Sequence, residues 1–299
     1  MTTDIASTIP APAMPTKIVD TDRCLTAHIP AVVAALGVGG TVVRYIDPIG
    51  LGASKTVKAA EAAALGDAGI RLALVCEGWG GTHHQGVDAA SGTRDATVCR
   101  QHAAEVLGAP SGVCIYFAVD TDLSPEQIQS LAVPYFTAIQ AVFADGAAFP
   151  AYRIGVYGSG RTCAAMLDAG LADLAWLSES TAWGGSHEFK ASGRWALLQG
   201  VGSTVIAGED TDSDVSNGDI GDWLPTTVPV EHDVAWIQRA LNAHGADPAL
   251  VVDGTAGAKT TAALRGFQSA HGLLTGGTAD AATIAKLESS TAPTLPAHP

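Results

Sequence analysis

Carboxylates recur at the ends of short apolar runs along this chain. Val19-Asp20-Thr21-Asp22 closes the first run, Glu77-Gly78-Trp79 the third and Asp120-Thr121-Asp122 the fourth, and Asp210, Asp212 and Asp214 alternate through a late stretch. Glycoside hydrolysis needs two such groups at one place. One is a protonated carboxyl for the leaving oxygen, and the other is a carboxylate acting as base or nucleophile. Crowded like charges and partial burial raise one proton affinity, which keeps an acid neutral near pH 7. Asp20, Glu77, Asp120 and Asp122 are therefore the candidate catalytic residues, with Asp120 central and Glu77 as proton donor. Tyr45, Trp79, Tyr157 and Trp176 offer flat faces to sugar rings. Gln199, Asp22, Asp212 and Asp214 complete the candidate substrate contacts.

Other chemistries fit less well. Gly158-Ser159-Gly160 lacks the G-x-S-x-G spacing of a serine hydrolase elbow. Cys163, in TCAAM, matches no cysteine-protease signature. His83-His84 are adjacent, so their side chains point apart, and a solvent-exposed loop is the expectation. Asp210, Asp212 and Asp214 alternate as in a calcium loop but lack its sixth-position Gly and distal Glu. The five cysteines are widely spaced with no zinc pattern, and mostly free thiols are expected. No metal and no cofactor is implied.

Strand ends converge only if the strands are parallel. Strand candidates are Ile18–Asp22, Thr41–Ile46, Arg71–Glu77, Val113–Asp120, Arg153–Tyr157, Ala175–Leu177 and Trp195–Gln199, with a weaker eighth near Val205–Asp214. Helical stretches lie between them at Thr56–Ala68, Thr93–Leu107, Ser124–Ala144 and Gly160–Asp168. Ser124-Pro125-Glu126-Gln127 carries an N-cap, a Pro at the first helical position and an acidic first turn. Alternation of this kind predicts a parallel sheet with crossover helices. About eight units in about 205 residues suit a (β/α)8 TIM-like barrel, whose chemistry sits at the C-terminal ends of its strands. An open doubly wound sheet is the alternative.

Leu224–Val230, LPTTVPV, reads as a linker. Beyond it, Trp236, Ile237, Ala240 and Leu241 recur at helical spacing, as do Ala263, Leu264, Phe267 and His271. The expected division is a flexible N-terminus over 1–16, the barrel over 17–224, a linker over 225–231, a small all-α three-helix module over 232–290 and a disordered tail over 291–299. The formal charge of −14, from 30 acidic and 16 basic residues, disfavours nucleic acid as a partner. No apolar run is long enough to insert in a membrane. The first residues lack the basic start and apolar core of a secretory signal. Action outside the membrane then calls for holin-type release, carriage in a virion or non-classical export.

Two stretches resemble known families. Trp236, Gln238, Leu241, Asp253-Gly254, Gly257, Thr260, Leu264, Phe267 and Gln268 resemble the three-helix peptidoglycan-binding domain found on cell-wall hydrolases. That resemblance implies peptidoglycan as partner, with Asp253, Thr255 and Gln268 as candidate contacts. Ala256 and Ala258 depart from its usual pattern. Val19–Asp22, VRYID at Val43–Asp47, CEGW at Cys76–Trp79, GVCIYFAVDTD at Gly112–Asp122, RIGVYGSGRTC at Arg153–Cys163, Trp176 and Gln199 resemble the DUF1906 glycoside-hydrolase-like barrel. This resemblance implies kinship in fold with lysozyme-like muramidases, which carry Asp-x-Glu after the fourth strand. Here that pair is Asp120-Thr121-Asp122, and Glu77 is the replacement acid. A lysin-like hydrolase of cell-wall glycan is the expectation, and a non-catalytic glycan-binding barrel is the alternative.

Overall fold

A computed structural model describes residues 17–49, 55–78, 87–144, 149–225, 234–252 and 256–289, without the side chains of 201–204, 235, 281 and 289. The chain divides into two compact units, residues 1–228 and 229–299. The terminal segments over 1–16 and 291–299 and the linker over 225–231 lie outside the described residues, apart from Pro225.

The first unit is a closed barrel of eight strands in sequence order. They are β1 (Ile18–Thr21), β2 (Thr41–Ile46), β3 (Arg71–Cys76), β4 (Cys114–Ala118), β5 (Arg153–Gly158), β6 (Leu174–Leu177), β7 (Leu197–Ile206) and β8 (Glu209–Ser216). Each strand sorts its side chains with a period of two. Ile18, Val43, Ala73, Val75, Cys114, Tyr116, Leu174, Trp176 and Leu197 fill the barrel interior. Their neighbours Val19, Val42, Leu72, Leu74, Ile115, Phe117, Ile154, Val156 and Leu177 pack outward into the helical layer. Burial on both faces explains why these strands read as continuous apolar runs. Gly155 admits the bulk of Tyr116, since a Cβ there would lie 2.4 Å from Tyr116 Cδ1. The Tyr116 hydroxyl then donates to the Ile220 carbonyl at 3.0 Å.

Seven strands run parallel, and β8 runs antiparallel to both β7 and β1. The eighth unit is therefore a hairpin, not a further strand–helix repeat. The stretch Val205–Asp214 straddles its turn. Ile206 pairs with Glu209, and Ala207 and Gly208 between them have φ of 55° and 90°. A two-residue hairpin of this hand needs φ > 0 at both positions. Alanine at the first of them hid the turn in the sequence.

The helices largely follow the sequence. Ser124 caps its helix as a capping box: Gln127 N donates to Ser124 Oγ at 3.2 Å, and Ser124 N donates to Gln127 Oε1 at 2.8 Å. That helix passes through a π-helical segment, Ile128–Ala132, before Val133–Ala144. Ile29–Leu36 and Ser186–Ser192 are two further helices that the sequence pattern did not separate.

The second unit contains helices Val234–Ala243, Ala258–Ala270 and Ala281–Ser289. Ile237, Ala240, Leu241, Leu250, Leu264, Phe267 and Leu287 form its own core, with Trp236 packed against it.

Candidate active site at the barrel mouth

The interior rows of the barrel end in polar residues. Two positions beyond Ile18 stands Asp20, two beyond Val43 stands Tyr45, and two beyond Val75 stands Glu77. Asp120 continues the row Tyr116, Ala118, and Tyr157 follows Gly155. Trp176 follows Leu174, and Gln199 follows Leu197. The alternation that fills the core thus aims these side chains at the mouth. Because β8 runs backwards, it brings Asp212 opposite Asp20 in the β1–β8 register.

Asp20 is the centre of a buried network. It is 2% exposed. Its Oδ1 accepts from the Tyr45 hydroxyl at 3.1 Å, and its Oδ2 accepts from Gln199 Nε2 at 3.1 Å. Gln199 Oε1 accepts in turn from the Tyr157 hydroxyl at 2.9 Å and from Glu179 N at 3.3 Å. Asp214 stands two residues beyond Asp212 on the same face of β8, which places its carboxyl diagonally beside that of Asp20 in the β1–β8 pairing. Burial, and then the charge of Asp212, push the Asp20 proton affinity up to about 7. Burial, followed by the neighbouring Asp20, raises that of Asp214 well above the ordinary carboxylate range. Trp176 Nε1 donates to Asp214 Oδ1 at 2.8 Å.

Glu77 and Asp120 stand on neighbouring strands. Lys55 reaches Glu77, with Nζ 3.1 Å from Glu77 Oε2 and 3.2 Å from the Glu77 carbonyl oxygen. Burial raises the Glu77 proton affinity, and Lys55 opposes that rise. Asp120 is half-buried and has no hydrogen-bond partner among the described residues. Burial alone raises its proton affinity. Lys55 carried no recognisable signal in the sequence, because it lies in an irregular stretch where neither period nor motif points to the mouth.

The chain just after Asp20 is held from outside the barrel. Arg44 and Glu61 form a fully buried ion pair at 2.8 Å. Arg44 Nη1 donates to the Thr21 carbonyl at 2.5 Å, and Leu25 N donates to Glu61 Oε1 at 2.9 Å. A paired and hydrogen-bonded charge of this kind fixes geometry more than it adds stability.

Several sequence candidates take other places. Trp176 is 1% exposed, and its ring packs edge-on against Tyr157 at 4.8 Å. Its face is covered by protein, which removes it as a sugar platform. Gln199 and Asp214 are buried behind the mouth, while Tyr45 and Tyr157 stay partly open. Asp122 is exposed and accepts from Gly184 N at 3.0 Å, tethering a loop. Asp22 is exposed at the rim, 3.2 Å from Arg23. Asp212 is half-buried, with a proton affinity raised by burial and then by Glu179 and Asp210. In the second unit Gln268 is fully buried. Its Nε2 donates to Thr278 O and to Thr283 Oγ1, and its Oε1 accepts from Gly277 N at 2.9 Å. Its amide is spent inside the module. Trp79, His83, His84, Asp253 and Thr255 lie outside the described residues. All five cysteines are free, with Cys24 exposed and the other four buried.

A closed barrel with a cluster of carboxyls, tyrosines and an amide at the C-terminal ends of its strands has its polar groups where the active sites of such barrels sit. Residues 36–220 match the Rv2525c-like, glycoside hydrolase-like domain, and the chain belongs to that family. Residues 231–287 match the peptidoglycan-binding domain family. The chain therefore joins a glycoside hydrolase-like barrel to a segment that matches a putative peptidoglycan-binding domain.

Two Bacillus subtilis proteins are similar. YbfG is 34% identical over 152 residues, spanning 50% of this chain and 20% of YbfG. FadG is 26% identical over 172 residues, spanning 55% of this chain and 29% of FadG. The chain thus matches less than a third of either relative. In fold it is similar to the Tat-secreted protein Rv2525c of Mycobacterium tuberculosis, crystallised with HEPES. That likeness has a TM-score of 0.57 at 24% identity and covers 70% of this chain and 98% of that one. The L-tartrate complex of the same protein gives 0.57 at 23% identity, covering 70% and 100%. No helix among the described residues is long and apolar enough to cross a membrane.

Proposed function

We propose that this chain is a lysin-like glycoside hydrolase of the bacterial cell wall, held on peptidoglycan by its C-terminal module. The observation that carries the reading is the set of three carboxyls at one mouth, Asp20, Glu77 and Asp120, each with a raised proton affinity. Carboxyls gathered at the C-terminal mouth of a barrel, with proton affinities raised by burial, are candidates for acid–base chemistry.

Lys55 revises the roles read from the sequence. A cation on Glu77 Oε2 favours the charged form, so Glu77 is the carboxylate, acting as base or nucleophile. Asp120, half-buried and without a competing hydrogen bond among the described residues, is the proton donor. Adjacent strands lie roughly 5 Å apart, which suits the roughly 5–9 Å between the carboxyls of glycosidases. Asp20 works from behind, fixing the Tyr45 hydroxyl that borders the mouth. Trp79, Asp253 and Thr255 remain candidate glycan contacts on sequence grounds.

Incubation with isolated sacculi tests this reading. New reducing ends that grow with time and enzyme concentration support it. Sedimentation of the protein with sacculi, with no reducing ends formed between pH 4 and 8, favours instead a glycan-binding barrel. The missing glutamate at position 122 is the feature that favours this second reading.

A further inference from the structure

Asp214 has an unusual inventory of partners. It is 5% exposed. Its Oδ1 accepts from Trp176 Nε1 at 2.8 Å, and its Oδ2 is buried with no ordinary donor. In the β1–β8 pairing Asp20 lies opposite Asp212 and Ile18 opposite Asp214, so the diagonal neighbour of Asp214 on the same face is another carboxyl, Asp20. Both Asp20 oxygens already accept hydrogen bonds, from Tyr45 and from Gln199. Two facing carboxylates with no proton between them would repel in a medium that screens poorly. Among the described residues no cation is ion-paired with either one. The titratable groups facing the pair are all acidic: Tyr45 on β2, Tyr157 on β5 and Asp212 on β8.

We propose that Asp214 is a neutral carboxylic acid at physiological pH, that its Oδ2–H donates to Asp20, and that it positions Asp20 without itself touching substrate. The inference rests on the proposed site but assigns Asp214 a role opposite to that of an anionic glycan contact. With the proton on Asp214 Oδ2, every oxygen of the pair has a partner. Asp20 then accepts three donors, from Tyr45, Gln199 and Asp214, and is the member of the pair that gains or loses a proton near neutrality. Carboxylic acids kept neutral by apolar surroundings serve elsewhere as hydrogen-bond donors. Here Trp176 and the barrel interior supply those surroundings.

The inference makes asparagine a faithful replacement at position 214. An amide oxygen can accept from Trp176, and an amide N–H can donate to Asp20. Carboxyl-carbon NMR titrations of the full chain would be recorded for wild type, Asp214→Asn and Asp214→Ala, with Asp20→Asn to assign the Asp20 signal. In wild type, Asp214 should show no deprotonation up to pH 8. In Asp214→Asn, Asp20 should titrate within about one unit of its wild-type midpoint. In Asp214→Ala, which removes a donor to the charged form, the Asp20 midpoint should move upward. Any turnover should survive in the Asn variant and fall at least tenfold in the Ala variant. An Asp214 that deprotonates below pH 8 overturns the inference. So does an Asn variant whose Asp20 midpoint moves by more than about one unit. If the Ala variant does not fold, wild type and the Asn variant decide. The titration needs no turnover, so it stands apart from the outcome on sacculi.

Discussion

Lys55 Nζ lies 3.1 Å from Glu77 Oε2, and this ion pair sets the charge at one side of the barrel mouth. An opposite charge at this distance typically lowers a carboxyl's proton affinity by about 1–3 units. Replacing Lys55 by Met should raise that of Glu77. Glu77 acts as the anion, so the acid limb of the pH–activity profile should move up by about one unit or more. Lys55→Arg should leave the limb near its original place. An unmoved limb in the Met variant would mean that Glu77 ionisation does not control the rate.

Asp120→Asn should lower turnover by about 10²-fold or more, the usual range for losing a general acid. Stability should hold or rise slightly, because burial already disfavours the charged form of Asp120. Equal melting temperatures with unequal reducing-end release would establish the point. Equal release would assign the proton to another group.

Much of this site was legible in the sequence, because a single rule generates it. Interior rows such as Val43-x-Tyr45 and Val75-x-Glu77 extend the core alternation by one step, and that step is where chemistry sits in a barrel. Other parts were hidden. Lys55 reaches the mouth from an irregular loop, and no periodicity predicts where a loop side chain lands. Trp176 is an aromatic on the right row, but it sits deep enough for Asp214 and Tyr157 to cover it. The β7–β8 hairpin turned on an alanine with positive φ, a residue that seldom announces a turn. Gln268 matched a family position, yet burial and three hydrogen bonds make it part of the module's frame.

Stability should fall as pH rises through the acid-to-neutral range. An unfolded Asp20 releases its proton near the ordinary value of 3.8, whereas the folded one holds it to about 7. Between these values the native state binds the extra proton, so its advantage is complete at the lower end and lost at the upper. The melting temperature should be several degrees higher at pH 5 than at pH 8. Asp20→Asn should flatten that slope. A slope unchanged by the substitution would place the responsible proton on another carboxyl.

Gln268→Ala should weaken wall binding by loosening the module, since Gly277 N, Thr278 O and Thr283 Oγ1 all lose a partner. Leaving such buried groups unsatisfied costs about 2–4 kcal/mol. The melting transition of the module should drop while that of the barrel stays. Lost sacculus binding with an unchanged module transition would instead make Gln268 a direct contact.

The central claim is that the carboxyls at the barrel mouth cleave cell-wall glycan. Its most direct test is mass spectrometry of the soluble products when wild type, Asp120→Asn and Glu77→Gln are each incubated with the same sacculi. The account expects glycan fragments with new reducing ends from wild type and at least about 10²-fold fewer from each variant, with all three proteins sedimenting equally. Fragments released at wild-type levels by both variants, or none released by wild type while it sediments with the wall, would contradict it.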